Sequence, residues 1–211
     1  MGERGGTRPP HSGLIPVPQS WFTNYMGRPR TLTDDQVLDR VGTAFGQVDT
    51  AWTLAGAAKA AGLHPATLIK RFGSRHGLLL ALSRHWIQAI PTRASTPQPH
   101  GELLAWASSL ATGRESSAQL LARIEMLGED LRDDELRLLL HQGWTKHINY
   151  LSDLVQRCQD HGHLASRLPA ETIACLLLDA AHGGLLRAAA HPHPTQAHPG
   201  RTLTALLEAL V

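Results

Sequence analysis

Thr53-Leu-Ala-Gly-Ala-Ala-Lys-Ala-Ala-Gly62-Leu-His64-Pro65-Ala66-Thr67-Leu-Ile69-Lys70-Arg71-Phe-Gly-Ser-Arg75 is the stretch on which the reading of the fold turns. Thr53 can cap a short helix whose inner face is Leu54, Ala57, Ala58 and Ala61 and which stops at Gly62. Three residues on, a second helix begins at Pro65, where a missing N–H costs nothing, with His64 at its cap. Leu68 and Phe72, four residues apart, point inward and leave Ala66, Thr67, Lys70 and Arg71 facing outward or sideways. A rigidly braced helix with small and hydrogen-bonding side chains on its outer face is what a DNA major groove admits. Thr53 adds a hydroxyl and helix-end amides for a phosphate, while Lys70, Arg71 and Arg75 add charge.

The flanking sequence extends this pattern. Upstream, Thr33-Asp-Asp-Gln36 is a capping box, followed by Val37, Val41, Ala44 and Phe45 on one helical face. Downstream, Ser74 caps a helix with the stripe Leu78, Leu79, Leu82 and Trp86, and Pro91 follows its end. The linker Pro91–His100 contains three prolines, and beyond it helices are expected near 101–112, 116–130, 133–161, 169–190 and 201–210. No alternation of period two supports a strand, so the chain reads as all-α. Its expected organisation is a flexible basic arm over 1–30, a three-helix helix-turn-helix DNA-binding domain over 31–75, and a larger helical effector-binding and dimerisation domain over 76–211.

Charge is distributed to match. Residues 28–93 carry nine Lys/Arg against four Asp, whereas residues 94–211 carry nine against thirteen Asp/Glu, although the whole chain is only +2. A basic N-terminal part on an acidic body is what contact of that part alone with a polyanion requires. Arg28 and Arg30, in Gly27-Arg-Pro-Arg30, are candidates for a minor-groove or phosphate contact from the arm.

Other function classes lack their signatures. GxSxG, HExxH, P-loop and GxGxxG patterns are missing, so no enzyme is expected. Cys158 and Cys175 stand alone, which suggests neither a disulfide scaffold nor a zinc site and fits a reducing cytoplasm. His161/His163 and the Pro-rich His191/His193/His198 segment lack converging ligand spacing, so neither metal nor cofactor is expected. The first residues lack the apolar core of a secretory signal. Asp179, His182 and Arg187 interrupt the best apolar run, so no membrane span is expected and the localisation reads as cytoplasmic.

Thr33 to Phe45, then Thr53-Leu54, Ala58, Ala61-Gly-Leu63, Ala66-Thr-Leu68 and Phe72-Gly-Ser-Arg-His-Gly-Leu-Leu79, resemble the N-terminal domain of the TetR family of transcriptional regulators. The resemblance implies an all-helical homodimer, each subunit placing its third helix in one half of a palindromic operator on double-stranded DNA, with a small-molecule effector in the C-terminal domain and repression as the default. It places Thr53 at a phosphate, His64, Pro65, Ala66 and Thr67 at the operator-facing start of the third helix, and Lys70 and Arg71 at its later contacts. Arg75 stands where the family usually has a phosphate-reaching Lys, and Ile69 where it commonly has a Tyr that meets the backbone.

The effector cavity is expected around Trp86, Trp106, Met126, Trp144 and Tyr150; with few charges there, an apolar or aromatic effector fits best. A dimer interface is expected on Ile173, Leu176, Leu177, Ala180, Gly184 and Leu185, where small residues permit close helix approach. The alternative is a divergent dimer of the same fold that binds a protein partner and has lost operator binding.

Overall fold

The computed structural model describes residues 32–45, 52–110, 116–191, 193 and 199–209. The arm with Arg28 and Arg30 lies outside the described residues, as does most of the His191–Gly200 connection. Among the described residues are nine helices: α1 (Asp34–Phe45), α2 (Leu54–Ala61), α3 (Pro65–Phe72), α4 (Arg75–Ala89), α5 (Pro99–Ser109), α6 (Ser117–Arg132), α7 (Asp134–Asp160), α8 (Ala170–Ala190) and α9 (Pro199–Ala209). The all-α expectation holds, and the five helices after the linker lie within three residues of where the sequence places them.

Local chemistry sets the helix starts. Gln36 N donates to Thr33 Oγ1 at 3.2 Å and Thr33 N to Gln36 Oε1 at 3.1 Å, the reciprocal pair of a capping box. Ser74 Oγ accepts from Gly77 N at 2.9 Å to open α4. Ser116 and Gln119 form a second capping box at α6, and Asp133 Oδ1 accepts from the amides of Glu135 and Leu136 at the start of α7.

Helices α1 to α4 bury Val37, Val41, Ala57, Ala58, Ala61, Leu68, Leu78 and Leu79. Of the expected apolar faces, Ala44, Leu54, Phe72 and Leu82 are only half-buried and Trp86 is exposed, and the alanines of α2 make its close approach to α1. Beyond α4, helices α5, α7, α8 and α9 close around Leu103, Leu151, Leu154, Leu177, Leu203 and Leu207, and α6 packs on α7 and α8. Residues 33–211 make one compact unit.

Helix α4 belongs to both packing centres, touching α1 and α3 on one side and α7 on the other. Its Trp86 ring covers Gly143 of α7 so closely that a Cβ there would lie 1.9 Å from Trp86 Cζ3. Lys146 Nζ donates to the Ile87 carbonyl at 2.7 Å, satisfying an end group of α4. The segment after α4 is tied to the body: Ala94 N donates to Asp153 Oδ2 at 2.9 Å, and the amides of Ser95 and Thr96 donate to Glu102. Burial raises the Glu102 pKa, but these amides and the Tyr150 hydroxyl outweigh it and hold the carboxyl at about 2.

Among the described residues, helix α8 is the one helix long and apolar enough to cross a bilayer, with a mean hydropathy of 1.4. In this fold it buries Ile173, Ala174, Leu177, Leu178, Ala181, Gly184 and Ala188 inside the chain.

Candidate nucleic-acid interface

The α2–α3 turn is fixed by Gly62. Its φ of 69° and ψ of 34° are left-handed, and its neighbour Leu63 N reaches the Ala58 carbonyl at 2.8 Å, closing α2 with the hydrogen bond that lets the chain reverse in three residues. Arg40 Nη1 of α1 donates to the Ala61 carbonyl at 3.2 Å and so braces the same corner. Thr53 caps α2, its Oγ1 accepting from Gly56 N at 3.0 Å, and remains exposed. His64 caps α3: its Nδ1 accepts from Ala66 N at 3.2 Å, which leaves Nε2 carrying the proton as a donor at the exposed start of the helix.

On α3, Leu68 is fully buried while Ala66 and Lys70 are exposed and Pro65, Thr67 and Ile69 half-buried. The exposed strip therefore runs His64, Ala66, Lys70, with half-buried Thr67 at its edge and no side chain bulky enough to hold the helix out of a groove. Arg71 turns sideways: its Nη1 is 3.1 Å from Asp34 Oδ1 on α1, and its side chain is only 18% exposed. It braces α3 against α1.

Arg75, expected at a phosphate, is already engaged. Its Nη2 donates to Glu129 Oε2 at 2.8 Å and its Nη1 to Glu129 Oε1, while the guanidinium lies 4.5 Å from the Trp52 ring centre. The hydrogen bond from Arg75 holds the Glu129 carboxyl below its ordinary value, against the opposing effect of burial. The next residue, His76, places Nε2 3.2 Å from Asp133 Oδ2. A cleft of about 500 Å³ opens here between the start of α4 and the α6–α7 corner. Trp52 and Glu129 were not among the expected site residues. Glu129 lies 54 residues from its partner, beyond any local spacing rule; the available signal was the six acids between Glu125 and Glu135, set against a basic N-terminal unit.

The expected sensor residues separate. Trp106 and Tyr150 are 9% and 6% exposed in the packed core, with Trp144 against it. Trp106 Nε1 donates to His147 Nε2 at 3.0 Å, the Trp144 and His182 rings lie 5.2 Å apart, and Tyr150 OH donates to Glu102 Oε1 at 2.8 Å. Burial lowers the pKa of both histidines, and the charge of His182 lowers that of His147 further. Met126 is half-buried on α6, and Trp86 stands apart from this group, on Gly143. Cys158 and Cys175 are free thiols; burial pushes Cys158 up to about 11, which keeps it a thiol at neutral pH.

The residues expected at a dimer face separate within one chain. Ile173, Leu177 and Gly184 turn into the chain's own core, and Ala180 and Leu185 are half-buried. Leu176 alone of the six is exposed, at 52%, and it shares the outer side of α8 with Gly183 and Leu186, the latter 55% exposed. The outer side also carries the exposed Asp179 and Arg187, and a reading that followed the apolar residues picked out mainly the inward face.

No protein-family model and no curated protein matches the chain. Solved structures do. A protein from Rhodococcus sp. described as a TetR-family transcriptional regulator is 19% identical with a TM-score of 0.62, over 83% of this chain and 96% of its own. A TetR transcription regulator from Haloarcula marismortui is 16% identical with a TM-score of 0.60, over 83% and 96%. SmeT in complex with triclosan is 16% identical with a TM-score of 0.53, over 83% and 89%. At such identities the likeness is one of fold: helices α1 to α9 adopt the TetR-family fold.

Proposed function

We propose that this chain, built on the TetR-family fold, is a sequence-specific regulator of transcription that binds duplex DNA as a homodimer, one α3 in each half of a palindromic operator, and is released by a small effector. The observation that carries this reading is the braced α2–α3 pair, whose outer strip His64, Ala66, Thr67 and Lys70 is small, polar and basic over a fully buried Leu68. Thr53 at the start of α2 supplies the phosphate contact beside it.

Dimerisation is assigned to the outer side of α8, where the exposed Leu176, Gly183 and Leu186 stand beside Asp179 and Arg187, because exposed leucines with a glycine between let a second copy of the helix approach closely. The effector is assigned to the α5–α8 region around Trp106, Trp144 and Met126, and is apolar or aromatic because that region is rich in rings, with His147 and His182 beside the two indoles. A complex of SmeT with triclosan among structures of this fold supports a small-molecule effector.

Titrating the full-length chain against fragments of its source genome over a salt series tests the reading. Saturable binding to a few fragments, weakening steeply with salt, is the expected result. Lack of saturable binding at every salt concentration overturns it in favour of the partner-binding alternative.

A further inference from the structure

We propose that Glu129 is an intramolecular competitor of DNA: from α6, in the sensor half, it occupies the guanidinium of Arg75 that would otherwise bind an operator phosphate. The proposal rests on the DNA-binding reading above. Arg75 opens α4 beside the start of α2, because its guanidinium lies on the ring of Trp52, the residue before the Thr53 cap. The Trp52 face sets the position of the cation, and Glu129 takes both of its terminal nitrogens, Nη2 on Oε2 at 2.8 Å and Nη1 on Oε1. A carboxylate held by two parallel N–H groups uses the same donor edge that a phosphate uses. The two anions therefore exclude each other there.

The pair is placed to exchange. Its side chains are 41% and 37% exposed, so an incoming anion reaches them, and an ion pair this open contributes little stability of its own. The adjoining cleft of about 500 Å³ gives the carboxylate room to swing away, while Trp52 keeps the guanidinium in position. Next along α4, His76 approaches Asp133 at the α6–α7 corner, so two successive residues of α4 are drawn toward acids of the sensor half. Because α6 packs on α7 and α8, a ligand that shifts the end of α6 moves Glu129 relative to Arg75. Pressing it home weakens DNA binding; withdrawing it strengthens DNA binding.

The experiment uses the full chain and a fluorescein-labelled, mixed-sequence duplex of roughly 30 base pairs, titrated over a salt series so that phosphate contacts are read from the slope. Glu129→Gln is expected to bind about tenfold more tightly, with the slope steeper by about 0.9 per bound subunit. Glu129→Asp, which keeps the charge but shortens the reach, changes affinity in the same direction and replaces the first variant should that one fail to fold by circular dichroism. Glu171→Gln removes an equal charge from the exposed first turn of α8, outside the residues that line this cleft, and is expected to stay within about twofold of the parent. In an Arg75→Gln background, Glu129→Gln adds nothing. An unchanged affinity and slope for both Glu129 variants, or an equal gain without Arg75, overturns the proposal and leaves the DNA-binding reading standing. No binding by the parent and by the variants, at the lowest salt, overturns both.

Discussion

A methyl group at Gly77 would lie 2.0 Å from the Phe72 carbonyl oxygen, so the α3–α4 corner closes only around a bare backbone. Gly77→Ala gains about 1 kcal/mol in helix propensity but forces the two helices apart at a cost of about 1–3 kcal/mol. The expected outcome is a net loss of stability in chemical denaturation and weaker DNA binding, because Arg75 and the end of α3 move together. Asp130 offers a test by pH. Burial, followed by the charges of Glu129 and Asp133, pushes its pKa up to about 6, well above an ordinary aspartate. The fold prefers the neutral acid, so its contribution is fully present below about pH 4 and is lost as pH rises through about 6. Asp130→Asn stays neutral and is expected to stabilise the chain by about 1 kcal/mol near pH 7.5, after allowing for solvent screening, with the gain gone near pH 4. Urea unfolding at the two pH values measures it, and an equal effect at both would count against this assignment.

Among the elements, α4 joins the two packing centres, and the Trp86 ring lies against Gly143 of α7. Gly143→Ala must displace that ring; a loss of about 1–3 kcal/mol is expected, read as a lower thermal midpoint with Trp fluorescence shifted toward that of water-exposed indole. The α5–α7–α8 contact has its own pH signature. Burial lowers the pKa of His147 and His182, so their contribution is present above the ordinary histidine value of about 6.5 and fades as pH falls below it. Replacing His182 with Gln should flatten that acid limb, with Trp144 beside it as the optical reporter. At this scale the sequence was most informative where chemistry is local. Thr53, His64 and Ser74 each bond an amide two or three residues ahead, so the caps could be read from spacing alone. It was least informative where partners are distant. Arg71 and Asp34, 37 residues apart, carry no mark of their pairing, whereas on α8 the charged Asp179 and Arg187 mark the outer side that Leu176 and Leu186 share.

For the whole molecule, the basic N-terminal part and the acidic remainder meet at Arg75 and Glu129, so the charge asymmetry visible along the sequence also acts inside the fold. Two α3 helices address a palindrome only if a second copy fixes their separation near one helical turn of DNA. Leu176→Glu with Leu186→Glu is expected to give a monomer by sedimentation at micromolar concentration, with the fold intact by circular dichroism; a dimer that survives both changes would place the interface elsewhere. The most direct test of the central claim, that the outer face of α3 reads bases, compares Thr67→Val and Lys70→Ala with the parent chain on its best-bound fragment and on mixed-sequence duplex across a salt series. The account predicts that Thr67→Val loses discrimination between the two by about 1–3 kcal/mol at an unchanged salt slope. It predicts that Lys70→Ala weakens binding to the best-bound fragment and lowers the slope by about 0.9 per subunit. Discrimination and slope unchanged in both variants would contradict it.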